Sequence, residues 1–231
     1  MKKNILLIGG STGIGKEIAE RLSEKANVFV ASRNEIETDK EIKHLKFNAL
    51  EDDIKELDLP DQIDGFVYCP GSINLKPFKM LSLENFEKEM QLNFFGLVKS
   101  LNGIMDRLKK SDQASLVFFS TVAVNTGMPF HTSVAAAKGA IEGFARSLAA
   151  EYAPNLRVNV IAPSLTDTPL AEKLLSSDDK KKKMEDRHPL KRYGKPEDIA
   201  SAATFLLGEE SSWMTGQILG VDGGLSALNV N

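Results

Sequence analysis

A lysine, Lys138, stands in the stretch FHTSVAAAKGAIEGF (residues 130–144), where every near neighbour is small or apolar. An ammonium placed there can pack its stem on alanines while its head reaches a polar ligand such as a ribose hydroxyl. Toward the N-terminus, GGSTGIG places Gly9, Gly13 and Gly15 directly after an apolar run, with Ser11, Thr12 and Ile14 between them. Glycines before a helix permit a tight turn and a close backbone approach to a pyrophosphate, which the free N–H groups and dipole of the helix start attract. A strand-to-helix turn favours glycine in any case, so the flanking strand and helix carry the dinucleotide reading. The second apolar run ends VFVASRN, with Ser32 and Arg33 and no acid until Glu35. A carboxylate at that place would hold the ribose hydroxyls of NAD, whereas an arginine clamps a 2′-phosphate, so the reading favours NADP(H). The alternative is that Arg33 is a surface loop residue.

These groups need elements to hold them. Short apolar runs at Asn4–Ile8, Val28–Ala31, His44–Phe47, Gly65–Tyr68, Ser115–Ser120, Arg157–Ile161 and Gln217–Val221 read as strands. Amphipathic stretches at Ile14–Lys25, Leu83–Met105 and Val134–Tyr152 read as helices, the last one stopped by Pro154. Alternation of this kind predicts an α/β fold: one Rossmann domain over 1–231, a doubly wound parallel sheet with helices on both faces. Val134, Ala137, Ile141, Phe144 and Leu148 step by three and four and form a packing face, directed at the core or at another subunit. Thr132 and Ser133 read as N-caps of that helix. The run DDKKKKMED (178–186) reads as a solvated helix face near the substrate cleft.

The 231 residues are 42% hydrophobic and 26% charged, with net charge −3, which gives no reason to expect nucleic acid or a membrane surface as partner. The apolar run after Met1-Lys2-Lys3 is too short for a signal peptide, and no run approaches the ~18 residues of a membrane span. A single cysteine, Cys69, excludes an internal disulfide. The expectation is a soluble cytoplasmic protein without a metal site.

The spacing of these parts resembles the short-chain dehydrogenase/reductase family from about Lys3 to Ser226. Asn93 in MQLNFFG matches its helix asparagine, Thr121 in FFSTVAV stands at the place of its serine, and Lys138 at that of its Y-x-x-x-K lysine. RVNVIAPSLTDTPL resembles the stretch that closes over the nicotinamide, with Thr168 as its threonine and Ser164 in place of a glycine. The resemblance implies Asn93, Thr121 and Lys138 as catalytic groups. For the cofactor it implies Gly9, Ser11, Thr12, Gly13, Ile14, Gly15, Ser32, Arg33, Asn48, Ala49, Gly71, Lys138 and Thr168. It also implies a carbonyl or alcohol substrate and, through GQILGVDGG near the C-terminus, a homotetramer.

Departures from the family pattern are specific. Val134 occupies the place of the tyrosine that protonates the carbonyl oxygen, and valine cannot carry a proton. Ile8 replaces the usual threonine before the glycine loop, Tyr68-Cys69-Pro70-Gly71 replaces N-N-A-G, and Asn48 replaces the acid after the third strand. His131 is a candidate substitute if the helix reaches back to it, although Pro129 turns the chain nearby. Tyr152 and Tyr193 are distant in the chain, and Cys69 reads as a buried small residue. Two functions follow: an NADP(H)-dependent oxidoreductase with a depleted site, or a silent NADP(H)-binding sensor or partner subunit.

Overall fold

The computed structural model describes residues 2–229, so Met1, Val230 and Asn231 of the expected 1–231 domain lie outside the described residues. Among the described residues seven strands form one sheet: β1 (Lys3–Ile8), β2 (Ala26–Ser32), β3 (Ile42–Lys46), β4 (Gly65–Tyr68), β5 (Ala114–Phe119), β6 (Leu156–Pro163) and β7 (Ile218–Val221). Their order is β3-β2-β1-β4-β5-β6-β7 and every pairing is parallel. The direction of winding reverses between β1 and β4, which opens a crevice at the C-terminal ends of those strands.

Strands buried on both faces need apolar residues at every position, and β4 and β5 are buried throughout. On one face of the sheet, α3 (Gly96–Leu108) and α5 (Thr132–Tyr152) pack Leu97, Leu101, Ile141 and Leu148 against Phe66 and Phe118. On the other face, α1 (Gly13–Ser23) and α7 (Pro196–Leu207) pack Ile18, Ile199 and Leu206 against Leu7, Val30 and Val117. Of the Val134-to-Leu148 stripe, Ile141 and Leu148 belong to this chain's own core, half-buried Phe144 meets Phe94 and Phe118, and Val134 at its start faces the cavity.

Two expectations need correction. The helix expected over Leu83–Met105 is α2 (Leu83–Met90) and α3 joined by a π-turn at Gln91–Phe95, and it runs on to Leu108. One extra residue per turn breaks the regular ladder there, as π-turns at functional sites commonly do, and Asn93 at its centre is fully buried. The N-cap of α5 is His131 rather than Thr132 or Ser133. Phe130, at φ 69°, turns the chain so that the first helical bond already runs from Ala135 N–H to the His131 carbonyl. Thr132 is left exposed, and the Ser133 hydroxyl is buried without a partner among the described residues. The lysine-rich run forms the exposed α6 (Asp178–Arg187), as its composition predicts.

Arg157 and Asn159 of the RVN stretch are structural. The guanidinium donates to the carbonyls of Leu206, Gly208 and Ser211 at 3.0, 3.0 and 2.9 Å. The Asn159 amide donates to the Met214 carbonyl at 2.9 Å and accepts from Gln217 N–H at 3.1 Å. Together they tie the end of α7 and the approach to β7 onto β6.

Candidate active site

A cavity of about 800 Å³ opens at the C-terminal ends of the strands. Its floor is the turn between β1 and α1. Gly9 and Gly13 hold φ of 78° and 55°, a region that residues with a Cβ rarely adopt. A Cβ on Gly15 would lie 2.7 Å from the Gly9 carbonyl oxygen, so that helix and turn approach as closely as only glycine allows. The α1 N-terminus carries no side-chain cap from Thr12 and no acid in its first turn. Its free N–H groups are therefore available to an anion.

Gly9, Ser11, Thr12, Gly13, Ile14, Gly15, Ser32, Arg33, Asn48, Ala49, Gly71, Thr121, Lys138 and Thr168 all line this one cavity. Arg33 is exposed at its rim, just beyond β2. The Ser32 hydroxyl turns away, donating to the Asn34 carbonyl at 2.8 Å, so Ser32 contributes its place rather than its hydrogen bond. Asn48 likewise uses its side-chain oxygen locally, accepting from Leu50 N–H at 3.2 Å. Thr168 closes over the glycine turn, with its methyl 3.3 Å from where a Gly13 Cβ would stand.

The opposite end is built by α5, β5 and the π-turn. Lys138 is 8% exposed, and burial lowers its pKa to about 8 against the pull of the Glu89 carboxylate. Thr121, just past β5, accepts Ala123 N–H at 3.3 Å, which leaves its own O–H free to face the cavity. Asn93 does not line the cavity; it sits behind Gly71 with its amide nitrogen on the Glu89 carbonyl at 2.9 Å and its side-chain oxygen unpartnered among the described residues.

Val134, one helical turn before Lys138, faces the same space with 6% exposure, and no tyrosine lines the cavity among the described residues. Tyr68 is buried under the π-turn, donates to the Leu92 carbonyl at 2.7 Å, and has its pKa raised by that burial. Tyr152 lies under the Lys109 ammonium, and Tyr193 is outside the lining. His131 does reach the cavity. Its Nδ1 is 2.7 Å from the Pro129 carbonyl, so Nδ1 donates and Nε2 stays available. The Cys69 thiol is half-buried and pushed up to about 12 by desolvation, which makes it an unreactive neutral group.

A family model described as enoyl-(acyl carrier protein) reductase matches residues 47–226. A 3-oxoacyl-[acyl-carrier-protein] reductase of Chlamydia muridarum is 32% identical over 98% of both chains. A 2,5-dichloro-2,5-cyclohexadiene-1,4-diol dehydrogenase of Sphingobium indicum is 30% identical, again over 98% of each. The ligand-free aldohexose dehydrogenase of Thermoplasma acidophilum superposes with a TM-score of 0.90, at 28% identity, over 100% of this chain and 97% of its own. The chain belongs to the short-chain dehydrogenase/reductase family. As a member of it, the protein has the single Rossmann-like domain that the strand and helix pattern predicts, and its relatives are oxidoreductases of carbonyl and alcohol substrates.

Two features of this short-chain dehydrogenase/reductase site escape a reading of the sequence alone. Glu89, within an acid- and lysine-rich helix, is turned inward at 4% exposure and joins Asn93 and Ser72. Its position four residues before Asn93, on the same helical face, is the signal that could have found it. Ser164 and His188 form a second pair: the Ser164 hydroxyl is 2.8 Å from His188 Nε2, and His188 Nδ1 is 2.6 Å from the Met184 carbonyl. This pair fastens the loop after β6 to the end of α6. No group of metal-ligating residues occurs among the described residues, and no helix there is long and apolar enough to cross a membrane.

Proposed function

We propose that this protein is an NADP(H)-dependent oxidoreductase that interconverts a small carbonyl compound and its alcohol in the cytoplasm. The observation that carries the reading is one cavity that joins an uncapped helix N-terminus to a buried lysine beside a free threonine hydroxyl. The glycine turn and α1 would hold the pyrophosphate, Lys138 a ribose hydroxyl, and Arg33 the 2′-phosphate, with no acid at the end of β2 to repel it. When bound, the cofactor supplies or accepts hydride. Thr121 offers its hydroxyl to the substrate oxygen. Thr168 and the loop after β6 cover the glycine turn and limit water.

Val134 stands where the family's tyrosine would be, so this reading includes a depleted acid site in which water or His131 delivers the proton. The same valine supports a second reading, an NADP(H)-binding sensor or partner subunit without turnover. Both require the cofactor. Titration of the protein with NADPH and NADH, followed by cofactor fluorescence, should give saturable binding with NADPH the tighter ligand. Failure to bind either would reject both readings. The assembly we read is a homotetramer resting in part on the half-buried β7 edge; a monomer mass in light scattering would reject it.

A further inference from the structure

The α2 helix carries four charged side chains in its eight residues. Glu84, Glu87 and Lys88 are exposed, and Glu84 pairs with Lys88 across one turn at 2.6 Å. Glu89 alone points inward, 4% exposed. A carboxylate removed from water is costly unless its oxygens are hydrogen-bonded and its charge is answered. The hydrogen bonds are present: the Ser72 hydroxyl and the Asn93 amide, at 3.0 Å, both donate to Glu89 Oε2. The Asn93 amide nitrogen also lies 3.3 Å from the Ser72 hydroxyl, so the three side chains form a closed cluster. Ser72 lines the cavity and Gly71 beside it separates the cluster from Lys138. A Cβ on Gly71 would stand 3.5 Å from Asn93 Oδ1 and 3.6 Å from Lys138 Nζ.

We propose that Glu89 is a positioning residue of this site, its tethered carboxylate serving as the counter-charge that keeps the Lys138 side chain an ammonium at the cavity wall. The inference rests on reading Lys138 as the lysine that serves the cofactor. Other groups facing Lys138 cannot take this part. Cys69, beyond β4, is a neutral thiol until about pH 12 and supplies no charge near neutrality. Thr121 and Asn93 do not ionise, and Val134 on the lysine's own helix is apolar. Elsewhere on the cavity wall Arg33, Arg187, His131 and His188 carry no negative charge, and the one acid there, Glu51, is exposed to solvent and exerts no pull on Lys138. Glu142, one turn further along α5, is held toward Ser120, whose hydroxyl donates to it at 2.6 Å, and it exerts no pull on Lys138. Burial has already brought Lys138 to about 8, with Glu89 the leading opposing influence. Without that carboxylate a growing share of the protein would hold a neutral amine at physiological pH.

The test is a pH titration of Lys138 by carbon NMR of its Cε, assigned by loss of the signal in Lys138→Arg and run without cofactor. Wild type should titrate near 8. Glu89→Gln, which keeps hydrogen-bonding capacity and removes only charge, should titrate about one pH unit lower, as loss of a nearby opposite charge requires. Glu89→Asp, whose carboxylate is withdrawn by one methylene, should fall between. An unchanged midpoint in Glu89→Gln overturns the proposal, even if its melting temperature drops, since a merely structural role would move stability alone. Should Glu89→Gln not fold by circular dichroism, Glu89→Asp decides on the same terms. Because no cofactor is present, this result stands apart from the NADPH titration, and either can fail without the other.

Discussion

Val134→Tyr is expected to raise the rate of ketone reduction by about tenfold or more. Placed side-chain acids contribute about 10²–10⁴-fold, roughly 3–5 kcal/mol of barrier, and valine contributes nothing of this kind. Position 134 lies one turn before Lys138 on the cavity wall, so a phenol there would share the space that Thr121 and Lys138 face. The gain should fall short of the full range, because the ring must fit beside Thr121 and the Cys69-Pro70 turn without displacing Val134's packed neighbours. Rates measured with a permissive ketone and saturating NADPH check this. A fast wild type and a slower tyrosine variant would show that another group is the acid. His131 then comes first, with its Nε2 available and its Nδ1 held by Pro129. A loss of rate in His131→Ala, with NADPH binding unchanged, would identify it.

Arg33→Ala is the second large effect. One charge-assisted contact to a phosphate contributes roughly 1.5–3 kcal/mol, on the order of 10–100-fold in affinity. NADPH binding should weaken by that factor while NADH binding stays nearly unchanged, since NADH presents nothing for the guanidinium to hold. Arg33 is exposed at the rim, so its removal should leave the fold intact. Equal losses for both cofactors in titration calorimetry would mean that the arginine does not face the 2′-phosphate.

Much of this architecture is legible in the chain because its parallel strands are continuous apolar runs with glycine or polar boundaries. Gly65–Tyr68 is observed with the bounds that its pattern predicts. The glycine turn is equally legible, since its spacing reflects a steric demand that no other residue type meets. The π-turn at Gln91–Phe95 is not, because one extra residue in one turn leaves the amphipathic pattern of Leu83–Leu108 almost unaltered. Glu89 is hidden for a related reason. Its neighbours Glu87 and Lys88 mark a solvated face, and only the packing of α2 against α5 shows that the acid between them and Met90 looks inward. Residue preference alone does not locate the start of α5. Serine and threonine favour caps, but the backbone at Phe130 sets where the helix begins.

The most direct measurement of the central claim is turnover. The protein is mixed with NADPH and a panel of ketones and aldehydes, and the absorbance of the reduced nicotinamide at about 340 nm is followed alongside a binding isotherm. The account predicts tight NADPH binding and slow consumption with at least one carbonyl, lost in Lys138→Ala. Saturable NADPH binding with no consumption across the panel, in both the wild type and Val134→Tyr, would contradict it and identify a protein that holds the cofactor without using it.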